Sequence, residues 1–299
     1  MDELDFIALL RPLSGPGSFD LSDDAARLDV PDGHDLVVSQ DTMVEGVHFP
    51  AGRIGGGFSE RLLRVALSDL AAKGARPVTY MLSVAWPRGR DARWIKGFVT
   101  GLSDAQSSFD LYLLGGDTTS TEGPLVATAT VFGVVPSETL VKRSGAMPGD
   151  DIWYTGTLGF AGKGLEVVNG RIGALAPTDA IKAEAAYLRP EPRFSLRKMI
   201  RSHATACADI SDGLLVEAGH ISKASSVALD LNSPLPEGSD FGDDYELLLT
   251  ASTDDRERIK EFARRAGVRI TLCGRVRCGS GVSLDGRPVE RAAGYRHRF

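Results

Sequence analysis

A chain of 299 residues, 42% of them apolar, can build one large domain or two ordinary ones. A net charge of −6 with no block of Lys or Arg argues against nucleic acid or an anionic membrane as partner. Any anionic substrate must then be met by local cations, either Arg or metal. No apolar run approaches the roughly 18 residues of a membrane span, and the opening Met1-Asp-Glu-Leu-Asp5 is acidic where a signal peptide is basic. The odd cysteine count of 3 reads as reduced thiols in a cytoplasmic protein. Cys273 and Cys278 lack the spacing and the His partners of a zinc site.

In chain order, Leu4 to Leu10 reads as a helix ended by Pro12, and Ser14 to Ser18 as a Gly/Pro/Ser loop. Asp23-Asp24-Ala-Ala is either a helix start or a pair of available acids. A turn at Pro31-Asp-Gly33 feeds a β run, Leu36-Val-Val38, which then presents Ser39, Gln40, Asp41 and Thr42 and reaches Glu45 and His48. A strand that ends in oxygen ligands is a good holder for a hard cation, because it fixes the carboxylate while its end stays open. The design recurs where Leu111-Tyr-Leu-Leu runs into Gly115-Gly116-Asp117-Thr-Thr119, and where Ala204-Thr-Ala-Cys-Ala runs into Asp209-Ile-Ser211-Asp212-Gly213.

Between the first two of these, Phe58 to Gly74 has helical spacing, with Leu62, Leu63, Ala66, Leu67, Leu70 and Ala71 as its apolar stripe. Asp69 points into or beside that stripe, where a carboxylate is costly unless paired. Its partner is either Lys73, four residues on, or a metal. Val78 to Trp86 reads as a strand, and Asp91 caps a helix carrying Trp94, Ile95, Phe98, Leu102 and Phe109. The alternating run Leu125 to Val135 completes a first half of α+β order with antiparallel pairing.

The polar segment Lys142 to Asp150 marks a boundary, which divides the chain into an N-terminal domain, 1–140, and a C-terminal α/β domain, 141–299. The second opens with strand Asp151 to Thr155 and a Gly-rich turn from Gly156 to Gly164. That turn is not a P-loop: the first Gly of a Walker A would fall on Thr157, and Gly164 stands where Ser or Thr is needed. Helices follow at about 178–188 and 193–202, then the Cys207 strand, a helix Gly213 to Ala224 and a strand Val227 to Leu231. Gly242-Asp-Asp-Tyr-Glu246 precedes a strand at Leu247 to Thr250. A helix near 254–266, a strand Arg269 to Val276 and a hairpin turning at Asp285-Gly286 close the pattern.

The inventory of acids is Asp24, Asp41, Asp69, Asp117, Asp209 and Asp212, with Ser39 and Ser211 beside them. Such a set repels itself unless cations neutralise it. With several Mg2+ it becomes a platform for phosphate oxygens. Phosphoryl transfer needs positioning and charge neutralisation more than a base, and a phosphate acceptor is already ionised. Joining a triphosphate to a monophosphate gathers about six negative charges, and Arg143 is the natural cation to help.

The chain resembles the thiamine-monophosphate kinases, within the superfamily that includes aminoimidazole ribonucleotide synthetase. The motifs that carry the resemblance are Asp23-Asp24-Ala-Ala, Asp41-Thr-Met-Val-Glu-Gly-Val-His48-Phe, Leu67-Ser-Asp69-Leu-Ala-Ala-Lys-Gly-Ala, Gly115-Gly-Asp117-Thr-Thr, Arg143-Ser-Gly-Ala, Thr155-Gly-Thr-Leu-Gly, Arg189-Pro-Glu-Pro-Arg, Asp209-Ile-Ser-Asp-Gly-Leu and Gly242-Asp-Asp-Tyr-Glu, in the family's order over almost the whole length. The resemblance implies ATP-dependent phosphorylation of thiamine monophosphate by direct in-line transfer, with ATP as co-substrate and several Mg2+. It implies a homodimer, with a β-barrel interface between the N-terminal halves and a C-terminal half that completes the active site.

By matching position, Asp24, Ser39, Gln40, Asp41, Asp69, Asp117, Asp209 and Asp212 are metal ligands, Gln40 through a carbonyl oxygen. Gly116, Asp117, Arg143 and Ser211 contact the nucleotide, and His48, Asp243 and Tyr295 face the acceptor. No catalytic residue stands apart from the metal ligands and Arg143. The chain departs from the family pattern at Gln40, usually Thr, and at Asp243, usually Glu. The segment between Pro236 and Gly242 is shorter than usual, and Asp20-Leu-Ser22 stands where Gly-Ile-Gly is usual. Two other readings stay open: a relative acting on another acceptor, and a nucleotide-binding protein with weakened catalysis.

Overall fold

The computed structural model describes all residues except 53, 54, 56, 172, 174, 291–293 and 295–299. Two compact units emerge, one of residues 1–70, 76–138 and 168–171, the other of 71–75, 139–167 and 172–299.

The first unit opens with α1 (Glu3–Leu10), whose N-cap Asp2 forms a capping box with Asp5. It continues through β1 (His34–Val44), α2 (Gly57–Ala72), β2 (Arg76–Pro87), α3 (Ala92–Phe109), β3 (Tyr112–Thr121) and β4 (Val126–Pro136). Asp91 caps α3 by accepting from the Arg93 N–H at 2.7 Å. The four strands lie in the order β1-β4-β2-β3. Pairing is antiparallel except between β2 and β3, which α3 connects as a parallel crossover. Both β1 and β3 are edges, so within one chain the sheet is open rather than a closed barrel.

One face of this sheet is covered. Leu62, Leu63, Ala66 and Leu70 of α2 and Phe98 and Leu102 of α3 are fully buried. An aromatic group joins them, with Phe6, Trp94 and Phe98 ring centroids 5.3, 5.9 and 5.2 Å from that of Trp86.

The second unit runs β5 (Asp151–Thr155), α4 (Phe160–Val168), α5 (Pro177–Leu188), α6 (Arg197–His203), β6 (Ala204–Asp209), α7 (Leu214–Ser225), β7 (Ala228–Leu231), β8 (Leu247–Ala251), α8 (Arg256–Arg265), β9 (Ile270–Arg277), β10 (Gly281–Leu284) and β11 (Arg287–Pro288). Its seven strands lie in the order β11-β10-β7-β9-β5-β8-β6. All pairs are antiparallel save β10 with β7, so the expected α/β half has a mixed sheet.

Period-2 alternation sends side chains to two cores, as it must in a sheet buried on both sides. Ile152, Tyr154, Ala206, Ala208 and Leu248 pack under α7. Trp153, Cys207, Leu247 and Leu249 pack with Met199 and Ile200 of α6 and Ile259 of α8. The Asp285-Gly286 turn joins β10 to β11 with both residues at positive φ, 50° and 76°, as a two-residue hairpin requires.

Two elements differ from the sequence reading. Asp41 and Asp117 lie inside β1 and β3 rather than at strand ends, because backbone pairing with β4 and β2 continues beyond them. The Gly-rich stretch after β5 turns only as far as Gly159 and then becomes α4. Its glycines serve packing: a Cβ at Gly164 would sit 2.0 Å from the Ala183 carbonyl oxygen.

Candidate functional site

In the first unit, Ser39 and Asp41 are two apart on β1 and so share the face that carries buried Met43. The Ser39 hydroxyl donates to Asp69 Oδ2 at 2.6 Å. Burial, and then the adjacent Asp69 charge, push the Asp41 carboxyl up to about 6. A buried carboxyl beside a second acid, with a neutral hydroxyl between them, makes a donor set suited to Mg2+. Lys73, the alternative partner for Asp69, donates instead to the Cys207 carbonyl at 2.7 Å. Gln40 faces the other way, and its Nε2 donates to Thr130 Oγ1 at 2.7 Å, so its side chain is not gathered with Ser39 and Asp41.

Register carries the Asp41 row across the sheet. Asp41 pairs with Ala129, Ala129 with Leu82, and Leu82 with Gly116, a span of about 14 Å at usual strand spacing. A Cβ at Gly116 would come 1.8 Å from the Leu82 carbonyl oxygen, so the close approach demands glycine. Asp117 falls in the next row, with Ser83, Thr128 and Thr42, and is exposed. Gly116 and Asp117 nonetheless border a cavity of about 260 Å³ that also takes in Asp23 and Asp24, with Phe6 and Leu114 among its apolar lining. No helix starts at Asp23-Asp24. Asp23 accepts from the Asp24 N–H at 2.8 Å in an irregular stretch.

Beyond β1 the chain folds back on itself. The Val44 N–H donates to His48 Nδ1 at 3.0 Å, which leaves the ring proton on Nε2. Glu45 accepts from the Gly52 N–H at 3.1 Å and pairs with Arg90, which lies over the Trp94 ring at 4.9 Å. Burial pushes the Glu45 carboxyl up, and bonds from Arg90 and Gly52 more than reverse this, holding it below its ordinary value.

In the second unit Asp209 ends β6 and is buried. Past it the two acidic motifs run side by side. Ile210 N–H donates to Glu246 O at 2.7 Å, Tyr245 N–H to Ile210 O at 2.9 Å and Asp243 N–H to Ser211 O at 2.7 Å. Asp243 and Tyr245 hold positive φ, 63° and 49°, a conformation costly for side-chain-bearing residues.

Glu246 takes Thr155 Oγ1 at 2.6 Å, and the Arg193 guanidinium grips both its oxygens. Asp244 accepts from Gly159 N–H at 2.7 Å and Ala161 N–H at 3.4 Å, capping α4. These two acids therefore tie three motifs together, and half-buried Asp243 is left beside Tyr245, whose hydroxyl donates to it at 3.2 Å.

Glu217, which the sequence reading missed, lies on the buried stripe of α7 with Leu214, Ala218 and Ile221. Arg143 Nη2 reaches its Oε2 at 3.5 Å, His220 Nδ1 the same oxygen at 3.0 Å, and Ser211 Oγ its Oε1 at 3.4 Å. The signal was there: an acid on an apolar helical stripe, the same sign that singled out Asp69. Asp212 is half-buried at the turn before α7, and Tyr295 lies outside the described residues. Among the described residues no three His, Cys, Asp or Glu side chains form a ready metal cage, and no helix is long and apolar enough to cross a membrane.

Family models described as AIR synthase related protein, N-terminal and C-terminal domains, match residues 22–135 and 147–285. A thiamine-monophosphate kinase of Caulobacter vibrioides is 41% identical, over 96% of this chain and 88% of the relative. The crystal structure of thiamine-monophosphate kinase from Stenotrophomonas maltophilia superposes with TM-score 0.83 at 35% identity, covering 96% of each chain. A structure described as AaThiL complexed with AMPPCP and TMP superposes at 0.79 and 28% identity, over 92% of this chain and 91% of that one.

Proposed function

This chain belongs to the thiamine-monophosphate kinase family of AIR synthase related proteins, and we propose that it transfers the γ-phosphoryl group of ATP to thiamine monophosphate, giving thiamine diphosphate and ADP. A terminal phosphate oxygen of the acceptor attacks the γ-phosphorus in line, and the bond to the β,γ-bridging oxygen breaks. The attacking acceptor oxygen is already ionised near neutral pH, so no general base is required, and the leaving oxygen departs on ADP.

The observation that carries the reading within this chain is the Ser39–Asp41–Asp69 group, two close carboxylates with a neutral oxygen between the strand and the helix. Mg2+ bound by such residues supplies charge neutralisation for the phosphates and orients them. We assign Asp24, Ser39, Asp41, Asp69 and Asp117 of the first unit, and Asp209 and Asp212 of the second, to cation binding. Gln40 is left out of this set, since its side chain is turned to Thr130. Gly116, Arg143 and Ser211 are assigned to the nucleotide. His48, Asp243 and Tyr295 are assigned to the acceptor.

We further propose a homodimer in which the open four-stranded sheets of two copies close into one barrel. Free Cys207, Cys273 and Cys278 suit a reducing cytoplasm.

The test is a product assay with purified protein, ATP, Mg2+ and thiamine monophosphate, run beside free thiamine. Thiamine diphosphate formed from the monophosphate is the expected result. ADP without thiamine diphosphate, or nucleotide bound without turnover, overturns it in favour of another acceptor or a binding protein.

A further inference from the structure

We infer that Glu217 is a positioning residue for the phosphoryl donor, aiming the Arg143 guanidinium at its phosphates while its other oxygen accepts from the Ser211 hydroxyl. The inference rests on the assignment of those two residues to the nucleotide and names the group that acts through them.

Cost is the first argument. The Glu217 side chain is 1% exposed, on a stripe where an apolar residue of similar size would pack at lower free energy. Its carboxylate is divided between donors: Oε1 takes Ser211, and Oε2 takes Arg143 and His220. Ser211 and Arg143 reach it from separate segments, the turn after β6 and the loop before β5.

The second argument is that the Arg143 backbone is already fixed by other bonds. Cys207 N–H donates to Lys142 O at 2.9 Å. Ser225 Oγ, at the last residue of α7, donates to Arg143 O at 3.2 Å and accepts from the N–H groups of Gly145 and Ala146 at 3.1 and 3.2 Å. Glu217 is therefore not needed to hold the loop. What it adds is the direction of the side chain. It engages the Nη2 end of a guanidinium whose side chain stays 43% exposed, and the remaining N–H donors of the planar fork are left to meet an anion.

The experiment measures initial rates with ATP and thiamine monophosphate varied separately, and the affinity for a non-hydrolysable ATP analogue by calorimetry. Glu217→Gln keeps volume and removes the charge. It is expected to raise the KM for ATP and the analogue Kd about tenfold, with the acceptor KM unchanged within twofold. In an Arg143→Gln background the same change is expected to add less than twofold, because the cation it acts through is gone.

Glu217→Asp keeps the buried charge paired but draws it back from Arg143, so it serves if the Gln variant does not fold. It is expected to raise the ATP KM about threefold. Wild-type nucleotide constants in a folded Glu217 variant, or losses that add in full to those of Arg143→Gln, overturn the inference. If the wild-type protein forms no thiamine diphosphate, the functional assignment fails instead, and the analogue affinities still decide the role of Glu217.

Discussion

Burial, and then the charge of nearby Asp69, raise the pKa of Asp41. A protein keeps such a pair when something outside the chain relieves it. Asp41→Asn is expected to lower turnover at least a hundredfold, an order of loss typical for a preorganised charge in a transfer site, while leaving the far-ultraviolet circular dichroism unchanged. A variant with more than a tenth of wild-type turnover would remove Asp41 from the cation site. Chelation with EDTA should abolish turnover and added Mg2+ restore it; turnover that survives chelation would refute the cation platform.

At this scale the sequence was legible where one residue broke a pattern. Asp69 stood out on the α2 stripe, and Ser39 Oγ does meet it. Gln40 was harder, because adjacent strand residues face opposite ways and only the register with Thr130 shows which face is which. Glu217 carried the Asp69 signal but sat in a helix whose other residues drew the eye to packing.

Helix α4 shows why some elements cannot be read locally. Gly162 and Gly164 lower its intrinsic propensity, and its cap, Asp244, comes from 85 residues downstream of Gly159. The hairpin at Asp285-Gly286 was legible because everything it needs is within the turn itself. Burial is the largest cause that pushes the Asp244 carboxyl up, to about 7, with Glu246 and Asp243 adding to it against the two backbone bonds.

The folded chain therefore holds this proton between about pH 4 and 7, where the unfolded chain has released it, and stability falls as pH rises through that window. Asp244→Asn keeps one acceptor for the Gly159 N–H and removes the charge. Urea unfolding should show the variant gaining about 2–3 kcal/mol on wild type from pH 5 to pH 8. A difference that stays constant over that range would mean Asp244 is ionised throughout. Glu246 is 7% exposed beneath Arg193, so Arg193→Met strands a buried charge and should cost about 3–5 kcal/mol at neutral pH, read in the same titration.

For the whole molecule, the open sheet of the first unit poses the remaining question. Its outward face carries Leu36 and Val38 on β1 and Met81 on β2, exposed to 42, 51 and 37%, interleaved with the Gln40–Thr130 and Thr42–Thr128 hydrogen bonds. β1 and β3 are the sheet's edges, β3 bridged only at Leu113 by Ser14, and such edges are normally blunted or covered. A second copy of the same sheet would bury the apolar residues and satisfy the edges at once, which a helix laid on the face would not do. Val38→Asp places a charge on that face, midway along the edge strand β1, where it is harmless in a monomer and costly when buried against a copy of itself. Light scattering is expected to show wild type at twice the chain mass and the variant at the single-chain mass. The variant's circular dichroism should stay wild-type, because Val38 already faces solvent within one chain. A wild-type protein at the single-chain mass, or a variant still at twice that mass, would place the partner of this face elsewhere and leave the barrel without support.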